Sequence, residues 1–258
     1  LTALSHIQDM AKRPRASPPQ IRVKQRKTIM NTSKNIYISP SLLAADYTEL
    51  GASVRRIEES GADFLHLDIM DGHFVPNISF GPDLIAALRP RTSLIFDVHL
   101  MISDPAKYLD RFISAGADII TFHREAVADP APLIARIKDA GVRASMAISP
   151  ATPADEVLPF LSMLDMVLVM TVVPGFGGQK LMPETLEKVR FLRRRADELG
   201  LDTDIEVDGG ISADNTALVT VAGANVIVAG SAIFGSPRPR QTILAMRAAA
   251  KDNPYCEE

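Results

Sequence analysis

The chain has 258 residues, 47% of them hydrophobic and 23% charged, enough apolar material to bury a large core and to exclude a chain that stays unfolded throughout. A single cysteine, Cys256, excludes a disulfide framework and a thiolate metal site and fits a reducing compartment, while the lack of any run of about 18 apolar residues excludes a membrane-spanning helix. Residues 1–35 carry eight Lys/Arg against one acid, Asp9, so a net charge of −3 leaves the rest of the chain at −10, a poor match for nucleic acid.

With scattered proline and weak periodicity, residues 1–35 read as a disordered basic extension. A transit peptide, and translated sequence upstream of Met30, are the other two readings of that segment. From Ile36 onward, short β-rich runs alternate with longer amphipathic ones. The runs are IYISPSLL (36–43), FLHLDIM (64–70), SLIFDVHLM (93–101), IITFHRE (119–125), RASMAIS (143–149), MVLVMTV (166–172), DIEVDGG (204–210) and VIVAGSAIF (226–234). Helical stretches between them include TELGASVRRIEESG, with Leu50, Val54 and Ile57 on one apolar face, and an Arg-rich segment from Glu184 to Gly200. Glycine recurs at helix ends in SGAD (60–63), AGAD (115–118) and AGAN (222–225).

Eight βα units favour closure, because an open sheet of parallel strands leaves two edges to cover. The alternative is an open, doubly wound sheet. Against it, no G-x-G-x-x-G follows the first run, and polar residues stand near the ends of many runs instead of at one switch point. The expected fold is therefore α/β, a single-domain (β/α)8 TIM barrel over residues 36–250 with a C-terminal tail at 251–258.

A buried parallel strand should be almost wholly apolar, so ionisable residues within one need a reason. His66 and Asp68 lie two apart in FLHLDIM and share a face; His99 closes DVHLM and Asp208 closes EVD. In a barrel these positions converge at the mouth formed by the C-terminal strand ends. Two imidazoles and two carboxylates there suit one divalent ion, Zn, Fe(II), Mn or Co, with no organic cofactor. His123 is either a support for that group or plain structure. In VPGFGGQ (173–179), three glycines in four residues let backbone N–H groups approach an anion. Gly209 and Gly210 after the seventh run, and Gly230 and Ser231 in the eighth, lie where this architecture usually binds phosphate. Met70, Met101 and Met170 are either core fillers or an apolar lid, and Ser41 either a donor to substrate or an ordinary turn serine.

ISPSLLAAD, LHLDIMDGHFVPNISFGP, DVHLM, TFHREA, PGFGGQ, EVDGGI and GSAIF run in order from about Ile38 to Gly235. In these motifs the chain resembles the ribulose-phosphate 3-epimerase family. The resemblance implies a reversible, metal-assisted epimerisation of D-ribulose 5-phosphate and D-xylulose 5-phosphate by two-base proton transfer at C3 through an ene-diolate. It implies His66, Asp68, His99 and Asp208 as metal ligands and Asp68 and Asp208 as the catalytic acid and base. It also implies Ser41, His99, Gly175, Gly177, Gly178, Asp208, Gly209, Gly210, Gly230 and Ser231 as substrate contacts. Two places depart from the family pattern: Val173 stands where a polar residue is common, and SPATP (149–153) lacks a usual glycine. Expected partners are the ketose phosphate and further copies of the chain, in the cytoplasm, with organelle import left open by the basic extension. An allulose 6-phosphate is the alternative substrate. Decarboxylases and aldolases of the same architecture use a strand-end lysine, and none of the eight runs contains one.

Overall fold

The computed structural model describes residues 35–250, so the basic extension up to Lys34 and the C-terminal tail lie outside the described residues. Eight strands alternate with helices: β1 Tyr37–Pro40, β2 Phe64–Met70, β3 Ile95–Met101, β4 Ile119–His123, β5 Arg143–Ile148, β6 Met166–Met170, β7 Asp204–Asp208 and β8 Val226–Ala229. All are parallel, each paired with its sequence neighbours, and β8 returns to β1. The remaining gap, between β1 and β2, is bridged where the Asp63 N–H donates to the Ile38 carbonyl at 3.0 Å and Ser41 pairs with His66. The ring is closed. Edge strands are thereby removed, as the eightfold repeat requires.

The helices cover the outside: α1 Leu50–Glu59, α2 Pro82–Leu88, α3 Pro105–Ala115, α4 Pro130–Asp139, α5 Leu186–Glu198, α6 Thr216–Val221, α7 Ser231–Phe234 and α8 Pro239–Ala249. Val54 and Ile57 of α1 are fully buried against the strands, the apolar face read from spacing. Gly116 ends α3 at φ 101°, a left-handed turn that an L side chain resists, and swings the chain into β4. Between β5 and β6 the crossover is a 3-10 segment, Ala154–Met163, with Pro159 inside it; proline lacks the N–H that an α-helix would need there.

Seven of the eight expected strands are shorter than read, and only β2 keeps its read bounds; the first and the eighth lose most. The first stops at Pro40, after which Ser41 caps a 3-10 turn by accepting from the Leu43 N–H, and the eighth stops at Ala229. Gly230 and Ser231 are accordingly not strand residues: Gly230 precedes α7 and Ser231 opens it. Apolar residues after a small polar one read equally as strand or helix, and here the short helix prevails.

Inside the barrel, side chains stack in layers contributed by alternate strands. Phe64, Ile119, Met166 and Val226, from the even strands, make an apolar floor. Above it the odd strands contribute Ser39, Asp97, Ser145 and Glu206, all fully buried. A polar layer in a barrel core is unusual, and it lies directly beneath the polar cluster at the mouth.

Candidate active site

The cluster forms because β2, β3 and β7 each send ionisable side chains inward on successive layers. His66 Nε2 lies 3.2 Å from His99 Nδ1, 3.4 Å from Asp68 Oδ1 and 3.9 Å from Asp208 Oδ2, and His99 Nδ1 lies 3.4 Å from Asp68 Oδ1. A tetrahedron with bonds of roughly 2.1 Å to a central cation has edges of about 3.4 Å, so these four atoms stand where a small divalent ion's ligands would. The donor set tests the fit independently. Two ring nitrogens and two carboxylate oxygens converge, and their lone pairs repel unless protons or a cation sit among them. The residues expected from the sequence are thus brought together, and they fit a metal.

Each imidazole is oriented from behind. His66 Nδ1–H donates to Asp97 Oδ2 at 2.6 Å, which turns Nε2 toward the cluster. His99 points Nδ1 at the cluster and Nε2 at His123 Nε2, 2.9 Å away; His123 Nδ1 reaches Glu125 Oε2 at 3.0 Å. Asp97 and Glu206 escaped the sequence reading, although the rule that grouped His66 with Asp68 also puts Asp97 on the face of His99 and Glu206 on that of Asp208. Glu206 has neither oxygen hydrogen-bonded to a described residue. Burial and the adjacent Asp97 push its carboxyl well above the usual range.

The two catalytic candidates differ sharply. Burial alone would raise Asp68, but the contacts with His66 and His99 hold it well below the usual carboxylate range. Burial and the Asp68 charge push Asp208 up to about 7. His66 is buried, which disfavours its cation, yet Asp97 and Asp68 raise it well above an ordinary imidazole. Burial lowers His99, and lowers His123 to about 4, so that ring is neutral.

Over the cluster opens a cavity of about 770 Å³ lined by Ser41, Asp68, Asp208 and the loop glycines. Gly175, Gly177, Gly178, Gly209, Gly210, Gly230 and Ser231 all border it, from the loops after β6, β7 and β8. Gly210 is at φ 69°, and a Cβ there would run into the Leu181 backbone nitrogen, so the loop after β6 lies directly on its α-carbon. Two residues that sequence reasoning missed set this rim: Asn77 donates across the mouth to the Gly175 carbonyl at 2.8 Å, and Gln179 to the carbonyls of Val173 and Phe176 at 2.7 and 2.9 Å. Met70 and Met101 are paired neighbours, Met170 pairs with Asp208, and all three line the cavity from the strand ends.

Two expected substrate contacts, Ser41 and His99, have partners within the protein. Ser41 Oγ–H donates to Asp68 Oδ2 at 2.6 Å, so its one hydrogen is committed and acceptor capacity remains. His99 is fully buried and does not border the cavity, and its two ring nitrogens lie beside His66 and His123. Of the two departures from the family pattern, Val173 is 61% exposed and contributes nothing to the cavity lining. In SPATP, the Ser149 N–H and the Thr152 hydroxyl grip Glu125 Oε1.

Residues 37–234 match the model of the family described as "Ribulose-phosphate 3 epimerase family". This chain belongs to the ribulose-phosphate 3-epimerase family. It is 47% identical to ribulose-phosphate 3-epimerase of Synechocystis sp. over 224 residues, covering 86% of this chain and 97% of the relative. It is likewise 47% identical to the "cytoplasmic isoform" of the enzyme from Oryza sativa subsp. japonica over 214 residues, covering 81% and 92%. Among solved structures it resembles 3-hexulose-6-phosphate synthase of Salmonella typhimurium with a TM-score of 0.64 at 19% identity, covering 84% of this chain and 99% of that one; at that identity the likeness concerns the fold. Among the described residues no helix is long and apolar enough to cross a membrane.

Proposed function

We propose that this member of the epimerase family interconverts D-ribulose 5-phosphate and D-xylulose 5-phosphate in the cytoplasm, by transferring protons at C3 with Asp68 and Asp208. The observation that carries this reading is geometric: Asp68 and Asp208, from β2 and β7, both line the cavity and approach the same atom, His66 Nε2, at 3.4 and 3.9 Å. Relatives named for the reaction, covered almost end to end, support the substrate assignment.

Inverting C3 means removing its proton beside the C2 carbonyl and returning one to the opposite face. A carboxylate is too weak a base unless the charge developing on oxygen is stabilised at once. A divalent cation, Zn, Fe(II), Mn or Co, held by His66, Asp68, His99 and Asp208 would supply Lewis-acid stabilisation of that charge. Asp68 takes the proton from one face, and Asp208 returns one to the other. In the reverse reaction the roles exchange. Ser41 orients Asp68 through its hydrogen bond. Backbone N–H groups at Gly177, Gly178, Gly209, Gly210, Gly230 and Ser231 suit a phosphate dianion, and that remote grip fixes C3 between the carboxylates. Met70, Met101 and Met170 keep water from the reacting carbon.

The test is a coupled assay on D-ribulose 5-phosphate and on D-allulose 6-phosphate, each with and without a chelator. Turnover of the pentose phosphate that disappears on chelation and returns with added metal is expected. Turnover indifferent to metal, or a preference for the hexose phosphate, would overturn the assignment.

A further inference from the structure

We propose that His123 and Glu125 are positioning residues that hold His99 in the one tautomer able to ligate a metal through Nδ1, and that the loop after β5 fastens this relay. The proposal deepens the metal-centre reading above and rests on it.

The relay follows from counting hydrogens. His99 Nε2 and His123 Nε2 are 2.9 Å apart, and two ring nitrogens at that separation share one hydrogen. Glu125 Oε2 lies 3.0 Å from His123 Nδ1, and a carboxylate can only accept, so the hydrogen of neutral His123 sits on Nδ1. His123 Nε2 is then a bare lone pair. That lone pair requires the shared hydrogen to be on His99 Nε2, which leaves His99 Nδ1 bare and facing Asp68 and His66. One carboxylate, one imidazole away, thus dictates the tautomer of the ligand.

The geometry locks the relay as well as allowing it. The rings of His99 and His123 lie edge to edge and nearly coplanar, with centroids 5.0 Å apart and planes at 23°, as the Nε2–Nε2 contact requires, and the Phe74 ring lies 4.7 Å from that of His123. Both histidines are fully buried. Glu125 is held by its other oxygen, which accepts from the Ser149 N–H at 2.8 Å and from the Thr152 hydroxyl. Lys188 Nζ of α5 in turn binds the carbonyls of Ser149, Pro150 and Thr152 at 3.1, 2.7 and 2.6 Å, tying that loop to the barrel's outer layer. His66 reaches its own carboxylate, Asp97, directly. His99 reaches one through an inserted imidazole, and Ser149 and Thr152 of the loop after β5 clamp that carboxylate for the second ligand.

The test uses the full chain, with zinc affinity measured by competition against a chromophoric chelator and ring 15N NMR recorded on the metal-free protein. Glu125→Gln should weaken zinc binding roughly 10- to 100-fold, the range typical of outer partners of metal-bound histidine. Thr152→Val should weaken it by less and Thr152→Ser should restore it. In both weakened variants His99 should change from a single Nε2–H tautomer to a mixture. Variants that fold as the parent does, bind zinc as tightly and keep the single tautomer would overturn the relay. Should Glu125→Gln fail to fold, the Thr152 pair decides by the same two readouts. A parent that binds no zinc, manganese, iron(II) or cobalt overturns the metal centre instead, while the NMR arm still judges the relay.

Discussion

Asp68 Oδ1 and Asp208 Oδ2 approach the same atom, His66 Nε2, at 3.4 and 3.9 Å, yet one carboxyl is held ionised and the other retains its proton to about pH 7. The difference lies in what else each touches. Asp68 also faces His99 and accepts from Ser41, whereas Asp208 is buried against the negative charge of Asp68 with no comparable donor of its own. Two chemically identical side chains become base and acid through environment.

Metal uptake should therefore release protons. In the metal-free protein both His66 and Asp208 titrate above their ordinary values, so at neutral pH a cation must displace protons from them. The bound state holds fewer protons than the free state, so apparent affinity rises with pH and falls as pH drops through about 7, the value for Asp208. The fall should steepen by about tenfold per pH unit for each displaced proton. Zinc titrations between pH 5.5 and 8.5 in two buffers of different ionisation enthalpy measure this directly. A flat profile would show that the protons are absent.

Ser41→Ala distinguishes an orienting serine from one that grips substrate. Its hydroxyl donates to Asp68 Oδ2 at 2.6 Å, a charge-assisted bond worth about 1.5–3 kcal/mol. Without it Asp68 should hold its proton to higher pH. The expected result is a kcat reduced about tenfold or more, with the acid limb of the rate profile moved upward and KM little changed. A change confined to KM would return Ser41 to the substrate contacts.

Gly210→Ala tests the phosphate rim. At φ 69° the new side chain is strained, and its Cβ would press on the backbone of Lys180 and Leu181, lifting the loop that ends at Gln179. KM for the ketose phosphate should rise about tenfold or more, equivalent to ~1.4 kcal/mol of lost binding, and competitive inhibition by inorganic phosphate should weaken in parallel. Unchanged phosphate inhibition would place the anion elsewhere.

Much of this was legible because barrels write their layers into strand periodicity. The β2 run was read to its true ends, and the ligand set was visible because each member interrupts an apolar strand where charge must be explained. What stayed hidden depends on neighbours rather than spacing. Asp97 becomes a partner of His66 through the β2–β3 register, and Glu125 a partner of His123 through the bend after β4. Likewise, the commitment of the Ser41 hydrogen to Asp68 joins residues 27 apart across the barrel's closure. The end of β8 at Ala229 was illegible for another reason: GSAIF satisfies strand and helix patterns alike, and a glycine at φ −93° and ψ −94° decides between them.

The division of labour between the two carboxylates has a sharper signature than loss of activity. If Asp68 serves one face of C3 and Asp208 the other, Asp208→Asn abolishes epimerisation because one proton transfer has lost its carrier. Asp68 remains able to remove and return the C3 proton of the epimer whose C–H bond faces it. That variant should exchange this proton with deuterated solvent for one epimer and leave the other untouched, and Asp68→Asn should show the opposite preference. Both residues are also candidate ligands, so each substitution should weaken the metal by tenfold or more, by analogy with outer-shell changes. Exchange must accordingly be followed by NMR at saturating metal with occupancy measured separately. Should both metal-loaded variants exchange the same epimer, or either epimerise at the parent rate, the two-base assignment is wrong.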